Sequence, residues 1–283
     1  MCRLFARVAD EVHPATFGLL EASDSLAAQS RREPDGYGIA TFDHEGRPHV
    51  IKRAKAAYLD ARFPAEAHEL RSRIFVAHIR FATNGSDSER NTHPFVRGGM
   101  VFAHNGVVGG LDRLEGRLRP EYLDGVGGET DSERVFALVS QEIDGHGGDV
   151  AAGLTAAASW IAAELPLYAL NVLLARSDEL WALRYPATHD LLWIDHRATP
   201  PPLSAHDRRH RLRVGVGGPV RGIGVASEPV GSPEGWRLLA SGELLHVGPD
   251  LEPTVTRVLP DPPAHPLSLE DLGQRAVAAQ REH

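Results

Sequence analysis

Short apolar segments recur along this chain in two separate runs. The first run covers residues 2–8, 36–42, 49–52, 73–82 and 99–103. The second covers 169–175, 180–184, 191–195, 222–226 and 244–247. Bulky and β-branched residues inside these segments, with Gly, Pro or Asp between them, predict strands. Between the two runs the apolar period lengthens to that of a helix. Thr130-Asp-Ser-Glu133 is a capping-box pattern ahead of Val135, Phe136, Leu138, Val139 and Ile143, which share one helical face. Asp149 then caps an alanine-rich stretch in which Val150, Leu154, Ile161 and Leu165 share a side, and Pro166 stops it. Weaker helical patterns cover 61–72 and part of 14–29.

Strands, two helices, then strands again predict an α+β fold in which two sheets pack face to face. Each sheet must bury at least one face, and helices returning over the outside supply the cover. No internal repeat or long linker interrupts the pattern. One domain over residues 1–250 is expected, with 251–283 as a peripheral tail. Pro-rich stretches at 200–202 and 260–266 read as surface turns.

Composition narrows the partners. The 283 residues carry 30 Lys and Arg against 38 Asp and Glu, a net charge of −8 with neither sign gathered into a long block. Nucleic-acid binding would need a basic face, so it is not expected. The short run Arg208, Arg209, Arg211, Arg213 reads as a solvated loop. No apolar run approaches the roughly 20 residues of a membrane span, and no secretory leader is evident. A soluble cytoplasmic protein is the expectation. Self-association and a separate partner chain are left open.

A single cysteine excludes an intramolecular disulfide framework and a thiolate zinc cluster. Its position is more telling. Cys2 follows Met1, so removal of the methionine would put a thiol and a free α-amine on one residue. The thiol has a reference pKa of roughly 8.5 and the amine one of roughly 7.7 to 8.0. The amine can therefore take the thiol proton near neutral pH while tethered to the nucleophile, an N-terminal-nucleophile arrangement.

Four further clusters stand out: Asp35-Gly-Tyr-Gly38, His78-Ile-Arg-Phe-Ala-Thr-Asn-Gly85, Asn91-Thr-His-Pro-Phe95, and Phe102-Ala-His-Asn-Gly106 followed by Gly128-Glu-Thr-Asp-Ser-Glu133. Singly each is an ordinary turn, strand end or helix cap. In this order after a position-2 cysteine, they resemble the glutaminase domain of class II glutamine amidotransferases. These belong to the N-terminal-nucleophile hydrolases, and the spelling is closest to stand-alone members. The resemblance is specific across about residues 2–133 and looser beyond. It implies a four-layer αββα sandwich.

It also implies roles. Cys2 attacks the γ-glutamyl carbonyl, forming a thioester. Asn105 and the Gly106 N–H stabilise the oxyanion. Arg80 holds the substrate α-carboxylate in a bidentate pair, Thr83 adds a hydroxyl contact, and Asp131 receives the α-ammonium. His78, His93 and His104 are assigned to structure or to supporting hydrogen bonds. No metal or cofactor is called for. Asn84 stands where synthetase-fused members often carry histidine, and Tyr37 where tryptophan is common in stand-alone ones. The chain shows no phosphate-binding loop and no room for a second catalytic module after residue 250. The implied substrate is glutamine or a γ-glutamyl conjugate, such as the sulfur-containing histidine derivative cleaved in the ergothioneine pathway. The alternatives are a glutaminase subunit feeding ammonia to a separate synthetase, and a silent γ-glutamyl-binding module.

Overall fold

The computed structural model describes residues 2–22, 24–81, 86–197 and 221–273. Its apolar segments pair into two sheets. The strands are β1 (Arg3–Pro14), β2 (Gly36–Phe42), β3 (Pro48–Arg53), β4 (Arg71–Arg80), β5 (Phe95–Arg97), β6 (Met100–Val108), β7 (Pro166–Ala175) and β8 (Leu180–Arg184). They continue with β9 (Leu192–Asp195), β10 (Gly222–Ala226), β11 (Arg237–Leu238), β12 (Glu243–Val247), β13 (Pro253–Arg257) and β14 (His265–Pro266). One sheet runs β11-β9-β10-β1-β4-β2-β3 and the other β13-β12-β8-β7-β6-β5. Neighbours in both are antiparallel; β14 alone pairs parallel, with the start of β7.

Alternation along each strand sorts the side chains into three cores. Leu4, Ala6 and Val8 of β1 and Ile74 and Val76 of β4 point inward, against Val101, Ala103, Leu173 and Leu245 of the second sheet. The opposite positions, Phe5, Ile39, Phe75 and Ile79, pack outward against Leu19, Leu26 and Phe63. The last three come from a π-helical turn at Phe17–Glu21, from α1 (Leu26–Gln29) and from α2 (Arg62–Glu69). Over the second sheet lie α3 (Leu111–Arg117), α4 (Pro120–Leu123), α5 (Asp131–Gly145) and α6 (Val150–Glu164). Val135, Leu138, Leu154 and Ile161 of the long pair bury against Phe102, Val172 and Leu183. The result is the αββα sandwich.

The capping signals work as read, with one difference. Thr130 Oγ1 accepts from Glu133 N at 3.4 Å, and Asp149 Oδ1 accepts from Ala152 N at 3.0 Å. Glu133 does not reach back to its own cap, however. Its carboxylate takes the N–H groups of Gly127 and Gly128, at 3.0 and 2.6 Å.

Two other departures have physical causes. The strand expected over 99–103 runs on to Val108, because Asn105 and Gly106 pair with Asn171 and Leu170 of β7. Cross-strand pairing overrides the turn tendency of His-Asn-Gly. Beyond residue 250, Pro253–Arg257 forms the edge strand β13, and Leu251 and Leu259 are buried. The run at 208–213 lies outside the described residues. Among those that are described, no helix is long and apolar enough to cross a membrane.

Candidate active site

Alternation also decides which polar side chains meet. Cys2 precedes β1 with the parity of Leu4 and Ala6, so it faces the other sheet. Arg3 pairs with Ile79 and Leu4 with His78; one further step of that register sets Cys2 beside Arg80. On the facing sheet Asn105 has the inward parity of Val101 and Ala103. Cys2, Arg80 and Asn105 therefore converge at one end of the space between the sheets.

The contacts there are short. Phe81 N donates to Cys2 Sγ at 3.2 Å, and the thiol lies 3.3 Å from Phe81 O, which accepts from it. Asn105 Nδ2 donates to Cys2 O at 2.9 Å. The amide carries two N–H groups, so one is left for another acceptor. Burial pushes the Cys2 thiol above its ordinary pKa. The Phe81 N–H, the chain N-terminus and Arg80 pull the other way, and Glu33 adds to the rise. A thiolate is therefore not preformed, and attack needs a base. With Met1 in place, the Cys2 nitrogen is an amide and cannot act as one.

Arg80 is buried and its guanidinium reaches Ser86 and Asp87. Nη1 meets Asp87 Oδ1 at 3.0 Å and Nη2 donates to Ser86 O at 3.3 Å. Asp87 is exposed and brings to this guanidinium the same carboxylate chemistry that a substrate α-carboxylate would. Asp131 is buried in the first turn of α5. It accepts from Val108 N at 2.8 Å on Oδ2 and from Ser132 N at 2.8 Å on Oδ1. Its carboxylate is thus fixed by backbone donors on β6 and on its own helix.

Gly106 is held to glycine by packing. A Cβ there would come within 1.9 Å of Ala169 O on β7. β5 pairs with β6 only as far as Phe102. Among the described residues, the stretch from Ala103 to Val108 has no strand on that side, and Val108 N turns there to Asp131.

Three buried histidines lie near this end. His78 and His93 rings lie 4.2 Å apart, and His93 meets Phe95 at 4.6 Å. Burial, and after it the nearness of the other rings and of Arg80, holds His78 down to about 3 and His93 well below the ordinary range. The backbone of His104 pulls weakly upward on His78, yet the ring nitrogens of His78 and His93 make no bond of ordinary geometry. His104 is anchored, with Nδ1 2.9 Å from Ser132 Oγ and Nε2 3.3 Å from Ala169 O. Kept neutral, it donates from Nε2 to the carbonyl and accepts at Nδ1 from Ser132. Gly38 admits the His93 backbone, whose carbonyl would sit 2.0 Å from a Cβ at that position.

The structure thus gathers Cys2, Arg80 and Asn105, with Gly106 and Asp131 on adjoining segments. Thr83 and Asn84 lie outside the described residues. Tyr37 points away from this end: its hydroxyl reaches Glu66 Oε2 at 2.9 Å and Asp60 Oδ2 at 3.2 Å in the outer layer, and burial, with these carboxylates added, raises its pKa. Sequence reading passed over Phe81, which acts through its backbone. It also passed over Arg3 and Glu33. Arg3 Nη1 lies 3.4 Å from Cys2 O and 3.3 Å from Glu33 Oε1. The adjacency of Arg3 to Cys2 was the available signal.

The profile of class II glutamine amidotransferases matches residues 1–259. The chain belongs to that family. A probable glutamine amidotransferase of Saccharomyces cerevisiae is 32% identical over 148 residues, 48% of this chain and 42% of the yeast protein. An uncharacterised protein of Methanocaldococcus jannaschii is 30% identical over 245 residues, 78% of this chain and 63% of its own length. The chain therefore spans less than two thirds of these curated relatives. A solved glutamine aminotransferase class-II domain protein from Silicibacter pomeroyi superposes with a TM-score of 0.62 at 21% identity, covering 91% of this chain and all of that one. That likeness speaks for the amidotransferase fold.

Proposed function

We propose that this class II glutamine amidotransferase hydrolyses a γ-glutamyl amide through a thioester on Cys2, exposed by removal of Met1. The observation that carries the reading is the Cys2 end itself. A half-buried thiol rests on the Phe81 backbone, its residue's carbonyl is pinned by Asn105, and Arg80 lies on the next strand.

The chemistry follows. The freed α-amine takes the thiol proton as sulfur attacks the γ-carbonyl, since burial disfavours a resting thiolate. The second N–H of Asn105 and the Gly106 N–H receive the developing oxyanion. The tetrahedral centre collapses by breaking the carbon–nitrogen bond, and the ammonium formed on the α-nitrogen returns its proton to the leaving amine. Water, deprotonated by the same amine, opens the thioester and releases glutamate and the free thiol. Arg80 and Thr83 bind the substrate α-carboxylate, and Asp131 the α-ammonium. The backbone donors on Asp131 leave carboxylate lone pairs over for that purpose.

The second reading is a glutaminase subunit passing ammonia to a separate synthetase. Turnover of glutamine, γ-glutamyl amines and γ-glutamyl-cysteine derivatives by the purified protein tests the choice. Useful rates on one of these support independent hydrolysis. Negligible turnover of all of them, restored by a copurifying chain, supports the subunit.

A further inference from the structure

Arg80 and Asp131 come from different layers, one at the end of β4 in the first sheet, the other at the start of α5 over the second. No strand ladder sets their separation, because β4 and β6 belong to different sheets. One buried side chain bridges the gap. Asn91 Nδ2 donates to Ser86 O at 3.0 Å and to Glu129 Oε2 at 3.0 Å, while Asn91 Oδ1 accepts from Glu129 N at 2.8 Å. Ser86 closes the knot, its N and Oγ donating to the same Glu129 oxygen at 2.9 and 3.0 Å. These donors hold the Glu129 carboxyl below its ordinary range. Ser86 O is also the acceptor for Arg80 Nη2. A continuous path results: the Arg80 guanidinium, the Ser86 carbonyl, the Asn91 amide, then Glu129, two residues ahead of Asp131.

The rest of that segment is equally constrained. Arg134 Nη1 donates to Gly128 O at 3.2 Å and to Thr130 O at 3.0 Å, and Glu133 takes the two glycine N–H groups. A shift at Asn91 is therefore passed to Asp131 rather than absorbed between them.

We propose that Asn91 is a positioning residue that sets the spacing between the carboxylate-binding Arg80 and the ammonium-binding Asp131. The inference rests on the γ-glutamyl reading of those two groups. A zwitterionic α-amino-acid end carries its two charges at a fixed separation, so a pocket with a fixed spacing selects it over a ligand lacking one charge. Asparagine suits the task because it offers donors to two oxygens and an acceptor to one N–H. Aspartate would keep the acceptor and set a second carboxylate against Glu129.

The test is calorimetric binding of L-glutamine, or of the γ-glutamyl compound that the enzyme turns over, in a Cys2→Ala background. Asn91→Asp is expected to weaken binding about tenfold, the loss typical of a charge-assisted hydrogen bond. Adding Glu129→Gln restores a donor–acceptor pair with reversed polarity, and is expected to recover most of the affinity. In the Cys2-containing enzyme the same pair should move KM with kcat nearly unchanged. Parental affinity in Asn91→Asp overturns the proposal. So does an affinity loss that follows Tm and is not recovered in the double variant. Should Asn91→Asp fail to fold, Ser86→Ala takes its place; several-fold weaker binding with an intact fold supports the proposal, and unchanged binding overturns it. A Cys2→Ala parent that binds no γ-glutamyl compound sinks the underlying reading and the inference with it. Indifferent variants of a binding parent sink the inference alone.

Discussion

Asn105 donates its side-chain amide to the carbonyl of Cys2 at 2.9 Å, across 103 residues of sequence. One hydrogen bond thus ties the end of β1 in the first sheet to β6 in the second, and leaves the other amide N–H for a reacting oxygen. Asn105→Ala removes both. We expect kcat to fall on the order of a hundredfold with a modest change in KM, since such a donor acts mainly on the oxyanion. Steady-state kinetics on the preferred γ-glutamyl substrate check this; a loss confined to KM would assign Asn105 to ground-state binding.

Arg80 is expected to respond in the opposite sense. Arg80→Lys keeps the charge but loses the planar fork, so KM should rise with little change in kcat. Asp87→Asn removes the carboxylate that engages Arg80 Nη1 and should lower KM severalfold by freeing that edge for substrate. If Arg80→Lys and Asn105→Ala gave one kinetic signature, the division of roles between them would be wrong.

Much of this architecture was legible because the residues obey simple periods. Leu4, Phe5, Ala6 and Val8 mark a strand by residue type alone. Thr130 and Asp149 mark both long helices by chemistry that needs no tertiary partner. Elements that escaped lack such signals. The strand β13 exposes most of its residues and so shows no buried alternation, and β5 is only three residues long. Gly106 misled because its turn tendency is local while its pairing with Leu170 is not. At the site, side chains were readable by type, but Phe81 contributes only backbone atoms. The Asn91 knot joins loops whose meeting depends on how the two sheets stack.

The mature chain is expected to begin at Cys2. Intact mass should show loss of one methionine, and the glutamine analogue 6-diazo-5-oxo-norleucine should add covalently at Cys2 and nowhere else. Full activity in a chain retaining Met1 would remove the α-amine from the mechanism, because an acylated nitrogen cannot accept the thiol proton.

The buried histidines carry a stability prediction with a definite sign. His78 is held to about 3 and His189 to about 4, both chiefly by burial, and His93 and His104 are shifted in the same direction. Above about pH 6.5, the ordinary histidine value, these rings are neutral in both folded and unfolded chains and contribute nothing to pH dependence. Below it the unfolded chain binds protons that the folded one refuses, so stability falls with decreasing pH until the folded values are reached. Between pH 6.5 and about pH 5 the cost is about 2 kcal/mol for each of His78 and His189, at roughly 1.4 kcal/mol per pH unit. That is a large part of the roughly 5–15 kcal/mol that holds a domain together. The depressed carboxylates, Asp43, Asp60 and Asp195 among them, start from an ordinary value near 3.8 and titrate below this window. Urea unfolding at about pH 7 and about pH 5 isolates the histidines. A midpoint that holds or rises on acidification would mean that these rings are solvated. His189→Gln should flatten the slope by close to one proton.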